Sequence, residues 1–312
     1  MTARSLVGTC SWADKTLVDS GWYPATAKTP EDRLRFYAQQ FPIVEVDATY
    51  YALPSERNAA LWVDRTPDDF VFDIKSYALF THHPAALRSL PKDLREALPS
   101  ALQEKRNLYY RDAPPDLRDE LWARFNSALL PLDSAGKLGT VLFQFPPWFL
   151  PGRDSSDYIL EAKERLGQYT IAVEFRNNLW LSQRNQERTL KLLADNAISY
   201  VCVDEPQGFR SSVLSVVVAT APVALVRMHG RNHETWEKKG IGAAERFDYL
   251  YSEEELEEWL PRVRQLAEGA REVHVLMNNC HNDFAVRNAR QLADRLGAAR
   301  SAPASGGQPP LL

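Results

Sequence analysis

Tyr169 to Trp180 reads YTIAVEFRNNLW, and its first half decides what kind of fold to look for. Ile171, Ala172 and Val173 form a short apolar run of the kind carried by a strand covered on both faces. Glu174 and Arg176 come directly after it. Spaced by two, they share one side of an extended chain. Burying an acid and a base there is costly unless they meet each other or a ligand. A structural ion pair closing the end of a sheet is one reading, and an active site at the carboxyl end of a strand is the other. The rest of the chain favours the second.

Working outward, seven further apolar runs stand at Leu6 to Cys10, Ile43 to Tyr51, Phe70 to Ser76, Leu138 to Phe145, Ile198 to Val203, Val223 to Met228 and Glu272 to Met277. In the second of these, alternation puts Glu45, Asp47 and Thr49 on one face and Val44, Val46 and Ala48 on the other. Helical patterns lie between the runs. Thr29-Pro30-Glu31-Asp32 supplies an N-cap, a proline at the first helical position and acids in the first turn. Pro84 to Ser134 is charged and helical in pattern, broken at Pro91, Pro99 and Pro114-Pro115, and longer than one crossover helix needs. Strand and helix in alternation imply the α/β class: a single (β/α)8 TIM-type barrel with an expanded helical region after the third strand. An open doubly wound sheet would call for a glycine-rich phosphate turn, and neither GxGxxG nor GxxxxGK occurs. No shift of composition divides the chain. One barrel domain is expected over 1–298, and a small, polar, Pro/Gly-rich tail over 299–312 is expected to be disordered, so that deleting Ala302 to Leu312 should leave thermal stability nearly unchanged.

With 312 residues, 45% hydrophobic and 25% charged, the chain has the composition of a soluble globular protein. A net charge of −4 argues against a nonspecific nucleic-acid coat. Cys10, Cys202 and Cys280 are scattered and form no CxxC pair, which favours a reducing compartment. Val213 to Val226 is interrupted by Ser215, Thr220 and Pro222 and falls short of the ~20 apolar residues that span a bilayer. No secretory pattern opens the chain. A cytoplasmic location without membrane contact is the expectation; the sequence sets no oligomeric state.

In barrels of this kind the chemistry sits at the carboxyl ends of the strands. Those ends supply Ser11 and Trp12; Glu45, Asp47 and Thr49; Lys75 and His82; Gln144; Glu174 and Arg176; Asp204; Arg227 and His229; Asn278 and Asn279. The strand starts, by contrast, read as apolar or sit next to loops. Glu45, Glu174 and Asp204 are the candidate catalytic carboxylates. Trp12, Lys75, Gln144, Arg176, Arg227, His229, Asn278 and Asn279 are the candidate substrate-binding groups, with the arginine forks suited to phosphate or carboxylate. Each has a bland counterpart. His82 and His83 fit ordinary loop positions, the cysteines fit buried small hydrophobes, and Trp12, Trp148, Trp180 and Trp236 fit core caps as well as stacking platforms. His229 shares a face with Arg227 and is expected to be neutral. Glu45, Glu174, Asp204 and His229 could converge on a metal, but Lys75, Arg176 and Arg227 point at the same space and disfavour a cluster of cations. The sequence requires no cofactor, and no GxSxG elbow supports a serine nucleophile.

VGTCSW, VEVDATYY, FDIKS with its following THH, QFPP, VEFRNNLW, VDEPQGFRSS, VRMHGRN, RFDYLYSEEEL and VHVLMNNCHNDFAVRNARQL occur in that order. Together they resemble the YecE-like barrels, a widespread bacterial family of unknown function, over nearly the whole chain from Leu6 to Leu296. The resemblance implies a TIM-type barrel related in architecture to the xylose-isomerase-like and endonuclease-IV-like barrels, and it supplies no reaction. Met277 stands where an aromatic is common, and Leu87 to Leu132 looks expanded. Three functions stay open: an enzyme acting on an anionic substrate, either a phosphorylated sugar or a nucleic-acid end; a metal-dependent phosphodiesterase like the endonuclease-IV barrels; and a noncatalytic binder of an anionic metabolite. The first expects Glu45, Lys75, Gln144, Glu174, Asp204 and Arg227 to open into one cavity, with Glu174 or Asp204 pairing Arg227 until an anion arrives.

Overall fold

A computed structural model of the chain describes residues 3–298, and the expected tail lies outside them. Eight parallel strands close into a barrel: β1 (Arg4–Cys10), β2 (Ile43–Val46), β3 (Val71–Lys75), β4 (Leu138–Gln144), β5 (Ile171–Glu174), β6 (Ser199–Asp204), β7 (Val223–Met228) and β8 (Glu272–Met277). Each strand pairs with its neighbours in sequence, and β1 pairs with β8. The principal outer helices are α1 (Pro30–Gln40), α2 (Glu56–Asp64), α3 (Pro115–Ser134), α4 (Arg153–Arg165), α5 (Gln186–Asp195), α6 (Trp259–Gly269) and α7 (Phe284–Leu296). The α1 start is as expected, with Thr29 and Asp32 forming a reciprocal capping box.

One local expectation changes, and two features are added. Strand β2 ends at Val46 instead of running to Tyr51, and Ala48–Tyr51 turns into a single helical turn. Thr49 therefore does not line the barrel; its hydroxyl donates to the carbonyls of Val46 (2.8 Å) and Lys75 (2.5 Å). No helix forms between β6 and β7 in the described chain; Val216 to Ala219 packs against the core as an irregular segment, anchored by Thr220 Oγ1 to Tyr200 N and Ile198 O. The expanded region after β3 also holds a small antiparallel pair, Ala85–Ala86 with Asn107–Leu108. Pro91, Pro99 and Pro114 each cap a helix start there, which is where the sequence placed the breaks.

The register fixes which side chains share the lumen, because parallel neighbours in register point the same way. Cys10 lies beside Glu45, Glu45 beside Asp73, Lys75 beside Leu142 and Gln144 beside Glu174. Val203 lies beside Arg227, Arg227 beside Leu276 and Leu276 beside Gly8. Followed round, this single face closes on itself. Gly8 interrupts its apolar run because the strands crowd here: a Cβ would stand 2.1 Å from the Ile43 carbonyl oxygen.

The lumen is charged at both ends, so the expectation of apolar strand starts is incorrect. Buried Asp73 accepts from Thr140 N at 2.7 Å and meets His274 Nδ1 at 3.0 Å, while His274 Nε2 meets Glu272 at 3.2 Å. Burial alone would lower the His274 pKa, but Asp73 and Glu272 more than reverse this and raise it to about 9. A folded pKa above the unfolded value of about 6.5 gives stability that is full below that value and lost as pH rises through 9. The parent-minus-variant stability difference for His274→Gln should therefore shrink by up to about 3 kcal/mol between pH 6.5 and 9. Chemical denaturation across that range measures it, and a constant difference would show that His274 does not carry the linked proton.

Candidate functional site

At the carboxyl ends of the strands the inward face carries one continuous network centred on Arg227 of β7. Its Nε and Nη2 donate to Glu45 Oε2 and Oε1, both at 2.8 Å, as a two-pronged fork. Nη1 donates to Glu174 Oε2 at 2.6 Å and to Gln144 Oε1 at 3.2 Å. Nη2 also reaches Asn278 Oδ1 at 3.4 Å. A guanidinium has five N–H bonds, and these contacts use all of them. Arg227 is 1% exposed.

Arg176 extends the network outward. Its Nε stands 2.6 Å from Glu174 Oε1, as an ion pair without hydrogen-bond alignment. Its Nη1 donates to Glu205 Oε2 at 3.0 Å, and its Nη2 lies 3.1 Å from His229 Nε2. Asn278 Nδ2 lies 2.8 Å from His229 Nδ1. The indole of Trp236 covers Arg176, its ring centre 5.0 Å from the guanidinium carbon. Burial would raise the Glu174 pKa, but Arg176, Arg227 and His229 hold it well below the usual carboxylate range. Burial and Arg176 push His229 down to about 3, so it is the neutral imidazole that the sequence led one to expect. Burial pushes Glu205 up to about 8 against the pull of Arg176.

Nearer solvent stand Asp47, Tyr50, Lys75, His83 and Trp148. The Lys75 ammonium lies 5.0 Å from the centre of the Tyr50 ring and has no carboxylate within ion-pair distance among the described residues. Burial and then Arg227 lower its pKa. Burial raises Asp47 to about 6, opposed by Lys75. Tyr50, His83 and Trp148 meet edge to face in sequence, 5.3 and 5.7 Å between ring centres, and Trp148 is 58% exposed. His83 Nδ1 lies 2.9 Å from Thr81 Oγ1, whose own hydrogen goes to the Ala78 carbonyl. The imidazole therefore donates through Nδ1 and leaves Nε2 as a lone pair. Ser11, at the end of β1, adopts φ 113°, an uncommon backbone for a side-chain-bearing residue.

Of the sequence candidates, Glu45, Lys75, Gln144, Glu174, Arg176, Arg227, His229 and Asn278 gather on this face. Asp204 does not, which corrects its assignment as a catalytic carboxylate and as a partner of Arg227. It shares the parity of Tyr200 and Cys202, faces the helices, and accepts from Trp259 Nε1 (2.6 Å), Tyr251 Oη (2.9 Å) and Arg231 (2.7 Å). Asn279 is likewise turned outward, donating to the Tyr249 carbonyl and to Asn288. Trp12 packs edge-on against Trp62 of α2 at 6.0 Å, capping the core. His82 sits among Tyr110, Phe149 and Tyr158 instead of facing the site. Trp180 is core, stacked on Phe175. Glu205 is the inward residue that sequence reasoning missed; counting by twos from Val201 and Val203 would have found it. The proposed metal quartet of Glu45, Glu174, Asp204 and His229 does not fit a cation, because Asp204 faces away and Arg227 stands between the two glutamates. No group of three or more His, Cys, Asp or Glu among the described residues is arranged to hold a metal ion.

A closed (β/α) barrel with a charged, solvent-facing carboxyl end places the protein in the class of TIM-type α/β barrels. The chain belongs to the family described as "Protein of unknown function DUF72", whose pattern spans residues 6–310. It is 34% identical over 295 residues to the UPF0759 protein YunF of Bacillus subtilis (strain 168), a match covering 93% of this chain and 94% of that one. Among solved structures it is similar to a DUF72 family protein from Thermotoga maritima MSB8, with 29% identity and a TM-score of 0.74 over 94% of this chain and 99% of the other. A DUF72 family protein from Enterococcus faecalis V583 gives 25% identity and a TM-score of 0.76 over 97% and 100%. The family resemblance read from the motifs is thus correct at the level of DUF72 and UPF0759.

Proposed function

We propose that this barrel is an enzyme acting on a small anionic substrate, such as a phosphorylated sugar, at the carboxyl ends of its strands. The observation that carries the proposal is the unpaired ammonium of Lys75. Of the three cations aimed at the mouth, Arg227 has spent every N–H and Arg176 is shared between Glu174 and Glu205. A partly buried cation without a counter-ion is poised for an anion from solvent. Gln144, its oxygen fixed by Arg227, keeps its amide N–H group for the same ligand. The Tyr50, His83 and Trp148 rim offers faces for a sugar ring.

The chemistry moves with this reading. Glu45 and Glu174 serve Arg227, and Asp47, with a pKa near 6, is better matched to proton transfer at neutral pH. The nine ordered motifs support the narrower YecE-like grouping, the relatives support a bacterial source, and scattered thiols support a cytoplasmic one. Among the described residues no helix is long and apolar enough to cross a membrane.

Titration with inorganic phosphate, followed by tryptophan fluorescence, tests the site. Lys75→Met should weaken binding roughly tenfold or more. Equal binding by parent and variant would remove Lys75 from the site. A panel of sugar phosphates and short phosphorylated oligonucleotides then tests turnover, and saturable binding with no turnover would favour the noncatalytic reading.

A further inference from the structure

We infer that Lys75 is a nucleophile that forms an imine with a carbonyl-bearing anionic substrate, such as the open-chain form of an aldose or ketose phosphate. The inference rests on the anion-binding reading above and names what that site does to its ligand. Three features of the geometry carry it. Lys75 ends β3 on the inward face, where the register sets it beside Leu142 and above the Arg227 network. Its Nζ meets only the face of Tyr50 among the described residues, so no carboxylate pins it. Asp47, one strand over, is within electrostatic reach of Lys75 and has no hydrogen-bond or ion-pair partner for its side chain among the described residues. A lysine used only as a structural cation would normally be held by a carboxylate. Lys137, the buried lysine among the described residues, is by contrast tied down by the Val63 and Thr66 carbonyls at 2.8 and 2.9 Å. Burial and the nearby Arg227 charge also favour the neutral amine at Lys75, which is how such a nitrogen becomes nucleophilic.

The step balances without an added reagent. The Lys75 ammonium gives one proton to the Asp47 carboxylate, and the neutral nitrogen attacks the carbonyl carbon. The C=O electron pair moves to oxygen, which takes up the proton the nitrogen sheds, giving a carbinolamine. Asp47 returns its proton to that hydroxyl, the C–O bond breaks, and water leaves as the C=N bond forms. Ammonium plus carbonyl becomes iminium plus water. The iminium restores the positive charge of the ammonium it replaces, so the substrate's phosphate faces the same counter-charge before and after the step.

Ribose 5-phosphate with sodium cyanoborohydride, followed by peptide mass mapping, is the test. In the parent protein one reduced adduct should accumulate on the peptide carrying Lys75, at least about tenfold faster than on surface lysines. Inorganic phosphate should slow it. Lys75→Arg keeps the cation, so it should still bind phosphate by fluorescence titration while losing the adduct. Phosphate binding without preferential labelling of Lys75 would overturn the imine and leave the anion site standing. Labelling of Lys75 that phosphate does not slow would support the imine and overturn the anion site. Neither binding nor labelling would remove both.

Discussion

Arg227→Met should destabilise the barrel by roughly 3–5 kcal/mol, a loss large enough to show as a collapsed unfolding midpoint. Were Arg227 only paired by Glu174 or Asp204 until an anion arrives, as the sequence led one to expect, the variant would still fold and lose chiefly its anion. The difference lies in where the charge is spent. Glu45 and Glu174 are fully buried, and both take their strongest bonds from Arg227 at 2.6 to 2.8 Å. Methionine fills much of the volume but leaves Glu45 with only the weak Cys10 thiol contact at 3.5 Å. Glu174 keeps Arg176 and His229, so Glu45 bears most of the penalty. Adding Glu45→Gln to Arg227→Met should therefore recover part of the lost stability, because a neutral amide is far cheaper to bury than an unpaired carboxylate. Urea unfolding of the single and double variants measures both effects. An Arg227→Met protein as stable as its parent would mean that the three-residue cluster is not the keystone its geometry implies.

The barrel was legible because its signal is repeated eight times: an apolar run, a polar end, a helix. Alternation within each run then placed Glu45, Lys75, Gln144, Glu174, Arg227 and Asn278 on the lumen side, as the register does. The misses came where alternation stops being a guide. VEVDATYY looks extended throughout, yet the Thr49 hydroxyl is captured by the Val46 and Lys75 carbonyls and the chain coils one turn earlier. That turn brings Tyr50 under Lys75, a contact no periodicity encodes. At β6 the error was of parity alone. Asp204 closes the strand in sequence, but its neighbours at a spacing of two, Tyr200 and Cys202, belong to the outer face. At the opposite end, His274 and Asp73 are far apart in sequence, and only the closure of β8 onto β1 gives each a reason to be buried. The rim of Tyr50, His83 and Trp148 is assembled from three different loops, and side chains that meet through tertiary packing leave no pattern in a single run.

Asp204→Leu is expected to cost about 3–5 kcal/mol while leaving phosphate binding at the barrel mouth unchanged. Leucine matches the volume and suits the helix-facing side of β6, so packing is not the cause. The cause is what Asp204 accepts. Trp259 Nε1 donates at 2.6 Å and Tyr251 Oη at 2.9 Å, and neither group has another acceptor among the described contacts. Both side chains are buried, so removing the carboxylate strands two donors away from water. Arg231, which grips Asp204 with Nε and Nη2, is less affected because Glu255 and Glu258 remain within 3.4 and 2.8 Å and water reaches it. Asp204→Asn should fall between parent and leucine variant: its amide oxygen can serve one of the two donors, while its NH2 group opposes the other. Thermal denaturation orders the three proteins, and fluorescence titration with phosphate compares their sites. A leucine variant that keeps its melting temperature but loses phosphate would return Asp204 to the binding face. The outer clamp would then be incidental, and the parity rule that separates Asp204 from Glu205 would have failed at this strand.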